Sequence, residues 1–171
     1  MTMQLIQHIE LGSAQANLTL SSIPQTYTDL YVLFSGRVSV TDGGLRLRVN
    51  GSTANLSTRL LYGNGSSATS ANDTTYIGTV SDSGTTANTF GNGALYFPNY
   101  AGSTLKSFSG EIVHENNATS AVQWVTAGLY NSTTAITSLE LFNAGSGNFV
   151  QYSSITLYGI TKGSDGVTTV S

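Results

Sequence analysis

The residues best equipped for chemistry cluster once in this chain, in Glu111-Ile112-Val113-His114-Glu115. Paired carboxylates are the usual requirement for glycoside hydrolysis, one serving as acid and the other as base or nucleophile across roughly 5–9.5 Å. Side chains alternate along a strand, so Glu111, Val113 and Glu115 share one face and His114 points away. At ~3.3 Å per residue the two carboxylates stand about 13 Å apart, too far for that reaction. A partner from another strand would have to close the gap, and Glu140 is the candidate. The other histidine, His8, is remote in sequence. No G-x-S-x-G, Walker A or H-E-x-x-H occurs. Cysteine is absent, which removes disulfides and thiolate metal sites. The carboxylates fall in no EF-hand pattern. The expectation is a non-enzymatic chain with no catalytic set, no metal site and no cofactor.

Basic residues form the most pointed polar feature. Residues 30–50 alternate in period two around Asp42-Gly43, a dipeptide suited to a type I′ hairpin turn because both central positions need positive φ. That turn predicts Val40 opposite Leu45, Val38 opposite Leu47 and Gly36 opposite Val49, with Phe34, Val32 and Leu30 on the same buried side. It also makes Arg37 and Arg48 direct cross-strand neighbours, with Arg46 two residues along. Like charges directly opposite destabilise a sheet, and an acidic partner over the face would relieve them. Tyr31 and Leu33 extend the same face with apolar area. Tyr31, Leu33, Arg37, Arg46 and Arg48 are therefore the expected interface residues.

The elements that must position these residues read as strands throughout. Strand-like runs recur at 3–11, 17–23, 29–40, 44–50, 57–62, 75–80, 88–97, 105–115, 121–130, 136–142 and 154–161, separated by Gly, Ser, Asn and Pro turns. No segment sustains a 3.6-residue period over three turns; a single helical turn around Ala54–Leu60 is the best helical candidate. The segment 63–73 reads as a long polar loop. So many short strands in 171 residues predict an all-β, two-sheet antiparallel β-sandwich, jelly-roll-like, in a single domain spanning 1–162, with a polar C-terminal tail at 163–171. Trp124, between Val122 and Val125, reads as core. Most of the tyrosines lie near strand ends, where the ring buries and the hydroxyl stays wet. A sugar-stacking aromatic platform is the competing reading. The N-x-[ST] triplets at Asn17, Asn50, Asn55, Asn64, Asn72, Asn117 and Asn131 follow from a composition rich in Ser, Thr and Asn.

Charged residues make up only 9% of the chain and the net charge is −3, against roughly 25% charged in an ordinary domain. Six basic residues are too few to displace counterions, so nucleic acid is not an expected partner. No apolar run is long enough for a membrane span, and the N-terminus reads as no signal peptide. Low charge suits a protein held in an assembly or exposed outside cells.

Two N-terminal stretches, Met3-Gln4-Leu5-Ile6-Gln7-His8-Ile9 and Ile23-Pro24-Gln25-Thr26-Tyr27-Thr28-Asp29-Leu30, resemble the opening of short virion-associated proteins of tailed bacteriophages. The resemblance continues at Phe97-Pro98-Asn99-Tyr100-Ala101-Gly102-Ser103 and at Phe149–Ile160. These motifs are strand starts, turns and a final core strand; they carry no functional residues to transfer. The resemblance implies a particle component assembled in the host cytoplasm and exposed on the virion. The expected function is decoration or cementing of the capsid through symmetric contacts, as a homo-oligomer (a trimer in the favoured reading), with the major capsid protein or other virion proteins as partners. The alternative is a tail- or head-fibre module that binds host glycans through the loops 63–73, 81–88 and 143–148.

Overall fold

Leu30, Val32 and Phe34 point inward along one strand while Tyr31 and Leu33 point outward, and this alternation governs nearly every element. The computed structural model describes residues 2–116 and 121–161. The tail expected at 163–171 and the triplet at Asn117 lie outside the described residues. Twelve strands and no helix are found among those residues: β1 (Thr2–Glu10), β2 (Asn17–Leu20), β3 (Asp29–Gly36), β4 (Gly44–Val49), β5 (Leu56–Gly63), β6 (Ala68–Asp73), β7 (Tyr76–Thr79), β8 (Gly91–Phe97), β9 (Lys106–Glu115), β10 (Ala121–Tyr130), β11 (Leu139–Asn143) and β12 (Ser154–Thr161).

They form two antiparallel sheets. One has eight strands in the order β1-β12-β3-β8-β9-β10-β5-β6, and the other has four in the order β2-β11-β4-β7. The pairs β1–β12, β2–β11, β3–β8 and β4–β7 are those of one long hairpin rolled up so that alternate strand pairs fall in opposite sheets. That is the jelly-roll topology. Two hairpins are inserted into it. The β5–β6 pair leaves between β4 and β7, the β9–β10 pair leaves between β8 and β11, and together they widen one sheet to eight strands.

The core is the sum of the inward faces. Leu18, Leu20, Leu45, Leu47, Val49, Leu139 and Leu141 from the smaller sheet meet Leu30, Val32, Leu95, Phe97, Ile112, Ile155 and Leu157 from the larger, all 2% exposed or less. Each such side chain contributes about 1.5–3 kcal/mol over its exposed state. Over the inserted strands, Trp124 stacks on Tyr62 at 4.1 Å and meets the edge of Tyr76 on β7 at 5.5 Å.

The expected hairpin at Asp42-Gly43 does not form. Strand β3 lies between β12 and β8, both edges occupied, while β4 lies between β11 and β7 in the other sheet. Residues 37–43 are the crossing between sheets, tied by bridges of Val38 to Phe149 and Arg37 to Ser81. Gly43 does not have positive φ; it is glycine because the Val80 backbone lies where a Cβ would be, and the Val80 amide donates to its carbonyl at 2.9 Å. The type I′ chemistry is at Asn50-Gly51 instead, with φ of 53° and 73° and reciprocal Val49–Ser52 hydrogen bonds at 3.0 Å. Nor is there a helical turn at 54–60, where β5 begins at Leu56. The supposed loop 63–73 contains β6, whose residues show no burial alternation because no described residue covers either side of it.

Candidate functional site

The eight-stranded sheet presents a broad outer face. Register lines up one row across it as Leu5, Tyr158, Tyr31, Tyr96, Ser109, Ala127, Arg59 and Asn72. The adjacent row runs Thr156, Leu33, Ala94, Glu111, Val125 and Leu61. A third places Asn92, Val113 and Gln123 together. Most of the large exposed apolar side chains of the described residues stand here: Leu5, Leu33, Leu61, Val113 and Val125.

Ala94 and Ser109 are short where their neighbours are tall, so the face is grooved along β8 and β9. A depression of about 290 Å³ lies over Ala94 between Tyr31 and Leu33 on one bank and Val113 and Gln123 on the other, with Asn92 and Glu111 also lining it. A second, of about 240 Å³, adjoins it over Tyr96, Ser109 and Val125 and shares Tyr31, Ala94 and Glu111. Tyr96 is held by its hydroxyl, which donates to Asp29 Oδ2 at 2.9 Å. Burial, and then that bond to Asp29, push the Tyr96 phenol above its ordinary value.

The five expected interface residues do not share one face. Tyr31 and Leu33 stand on the groove, outward from the larger sheet. Arg46 and Arg48 point outward from the smaller sheet, on the opposite side of the sandwich. Arg37 is in the crossing segment and is never opposite Arg48. All three arginines are engaged within the chain. Arg37 donates to the Thr86 and Thr89 carbonyls at 2.8 and 3.1 Å and to Thr85 at 3.2 Å, clamping the 82–89 loop. Arg46 pairs with Asp73 at 2.9 Å and donates to Thr75 Oγ1 at 2.7 Å. Arg48 pairs with Glu140 and lies 3.8 Å from the Phe142 ring centre. No like-charge repulsion is left for a partner to relieve.

The acids are likewise separated. Glu111 projects from the outer face of β9, and Glu140 from the outer face of β11 with Leu139 and Leu141 turned into the core. Sheets pack about 10 Å apart, so the two carboxylates stand beyond the span of a glycosidase pair. His114 is buried on the inner face, with Nδ1 3.3 Å from Thr79 Oγ1; the Trp124 indole donates to that same hydroxyl at 2.7 Å. Two of the three loops expected to present glycan contacts, 81–88 and 143–148, are tied into the fold. Besides the Arg37 clamp, Asn143 donates to the Asp42 and Gly44 carbonyls and accepts from the Gly147 amide at 2.8 Å.

The sequence marks Tyr31 and Leu33 as expected interface residues and Glu111 as a candidate acid, but does not join them into one site. The lining of the groove comes from four separated runs of chain, on β3, β8, β9 and β10, and Asn92, Ala94, Gln123 and Val125 each read as an ordinary outward strand position. No family model, curated protein or solved structure matches this chain.

Proposed function

We propose that the chain is a non-enzymatic structural subunit of a tailed-phage particle, one that decorates or cements the shell through contacts between copies and with shell proteins. One observation carries the reading: the open edge at β6. Native sheets protect their edges with charge, proline, bulges or brevity. Strands β2 and β7 are four residues each, and β1 has a bulge between Leu5 and Gln7 and a terminal Glu10. Strand β6 has no bulge, no proline and no lysine, and its one charge, Asp73, is consumed by Arg46. Thr69 and Ala71, in register with Tyr62 and Leu60, project on the core side of the sheet yet are exposed, because the smaller sheet ends at β7. Among the described residues the larger sheet overhangs there and offers a strand edge with an open underside. Low charge, the phage-like motifs and the lack of converging acid and base among the described residues support the same reading.

Native mass spectrometry of the full chain tests it. The expected result is a closed oligomer, a trimer foremost, that Thr69→Lys and Ala71→Lys reduce to monomer without loss of fold. Particles lacking the protein should lose heat resistance, and electron cryomicroscopy should place it on the shell. A monomeric wild type combined with particles of unchanged heat resistance overturns the proposal.

A further inference from the structure

We infer that the groove on the outer face of the larger sheet is a binding site for a neutral saccharide. Glu111 is the starting point. Asp29, Asp42, Asp73, Asp82 and Glu140 each accept hydrogen bonds from within the protein. Glu111 stands in mid-sheet with Ala94 and Val125 as its register neighbours. This carboxylate, set among short and apolar neighbours, has no hydrogen-bond donor among the described residues. It offers strong acceptor oxygens to hydroxyl donors.

Two carboxamides, Asn92 and Gln123, flank the same depression. Each brings a donor and an acceptor that no contact among the described residues occupies. Tyr31 borders both depressions, and its ring supplies an apolar wall that continues into Leu33 on one bank and faces Val113 and Val125 on the other. A pyranose has the complementary surface: an apolar C–H face that lies on a ring, and a rim of hydroxyls that both donate and accept. Volumes of about 290 and 240 Å³ fall at or below the lower end of ligand pockets. Each has room for a single sugar ring, and two adjoining depressions suit two linked rings.

Charge narrows the class. Glu111 in the centre and a net charge of −3 disfavour sulfated, phosphorylated or uronic-acid chains, and no arginine or lysine among the described residues lines the groove. The site is open to solvent on the face away from the β6 underside, so it does not depend on the assembly proposal. An oligomer would add avidity to a weak single site.

A microarray of neutral oligosaccharides (glucans, mannans and galactans), probed with the full chain, tests the inference. The expected result is saturable binding to at least one of them. Tyr31→Ala and Glu111→Gln should each weaken it at least tenfold, and Ala94→Leu, which fills the groove, should abolish it. Arg59→Ala, on the same face outside both depressions, should leave it unchanged. Circular dichroism and native mass spectra of the variants separate loss of binding from loss of fold or assembly. A blank array, retention on acidic glycans alone, or binding that survives all three groove substitutions overturns the inference. So does dissolution of the oligomer by the groove variants, since the groove would then be a contact between copies.

Discussion

Asp73 joins the two sheets, and removing its charge should show as a pH-dependent loss of stability. The residue ends β6 in the larger sheet, three residues before β7 opens in the smaller one. Its Oδ1 accepts from the Thr74, Thr75 and Tyr76 amides at 2.6, 2.9 and 3.1 Å and from Arg46 at 2.9 Å. Burial pushes the carboxyl up, but the Thr75 and Tyr76 amides, the Arg46 guanidinium and the Thr74 amide outweigh it and hold the pKa at about 2 against an ordinary 3.8. At about 1.4 kcal/mol per unit the depression corresponds to roughly 2 kcal/mol. The carboxylate is 31% exposed, so screening leaves about 1–2 kcal/mol. A folded-state pKa below the unfolded one means the contribution is present above the unfolded value and is lost as pH falls from 3.8 through about 2. Asp73→Asn keeps an acceptor for the amides and removes only the charge. At neutral pH it should melt about 2–8 °C below wild type, and the gap should close as pH falls to about 2. Paired thermal melts across that range isolate this group from the other carboxylates. A gap that stays constant down to the acid limit, or no gap at neutral pH, would refute the reasoning.

Three further outcomes follow from the packing. A double-mutant cycle of Arg48→Ala and Glu140→Ala should give a coupling of about 0.5–1 kcal/mol, since the pair is part-exposed at 32% and 18%; urea titration of the four proteins reads it. Gly128→Ala places a methyl group on the Phe108 ring, which is itself stacked on Phe97 at 5.0 Å, and should cost about 1–3 kcal/mol in the same assay. Tyr76 is raised to about 12, first by burial and then by the charge of Asp42; a raised folded-state value means stability present below pH 10 and lost as pH climbs toward 12. Tyr76→Phe should flatten that alkaline decline in melts across the window.

Alternation by itself determined the fold class and the faces. Leu30, Val32 and Phe34 bury, as do Leu45, Leu47 and Val49, because a strand's period of two leaves each side chain only two directions. The same period says nothing about which strand lies alongside. Reading β3 and β4 as a hairpin kept the inward or outward sense of their side chains but merged two opposite outer faces into one and had every partner wrong, since the edges of β3 belong to β12 and β8, far away in sequence. Turn chemistry suffered the same ambiguity: Asp42-Gly43 and Asn50-Gly51 are both plausible type I′ pairs, and only the closeness of Val80 to Gly43 and of Ser52 to Val49 separates them. Strand β6 left no pattern because it is exposed on both sides. Tertiary structure alone decided which charges are spent. The register that sets Arg48 against Glu140 and folds Asp73 onto Arg46 also sets Glu111 between Ala94 and Val125, and pairing across a sheet is fixed by the whole chain's path, which no local stretch encodes.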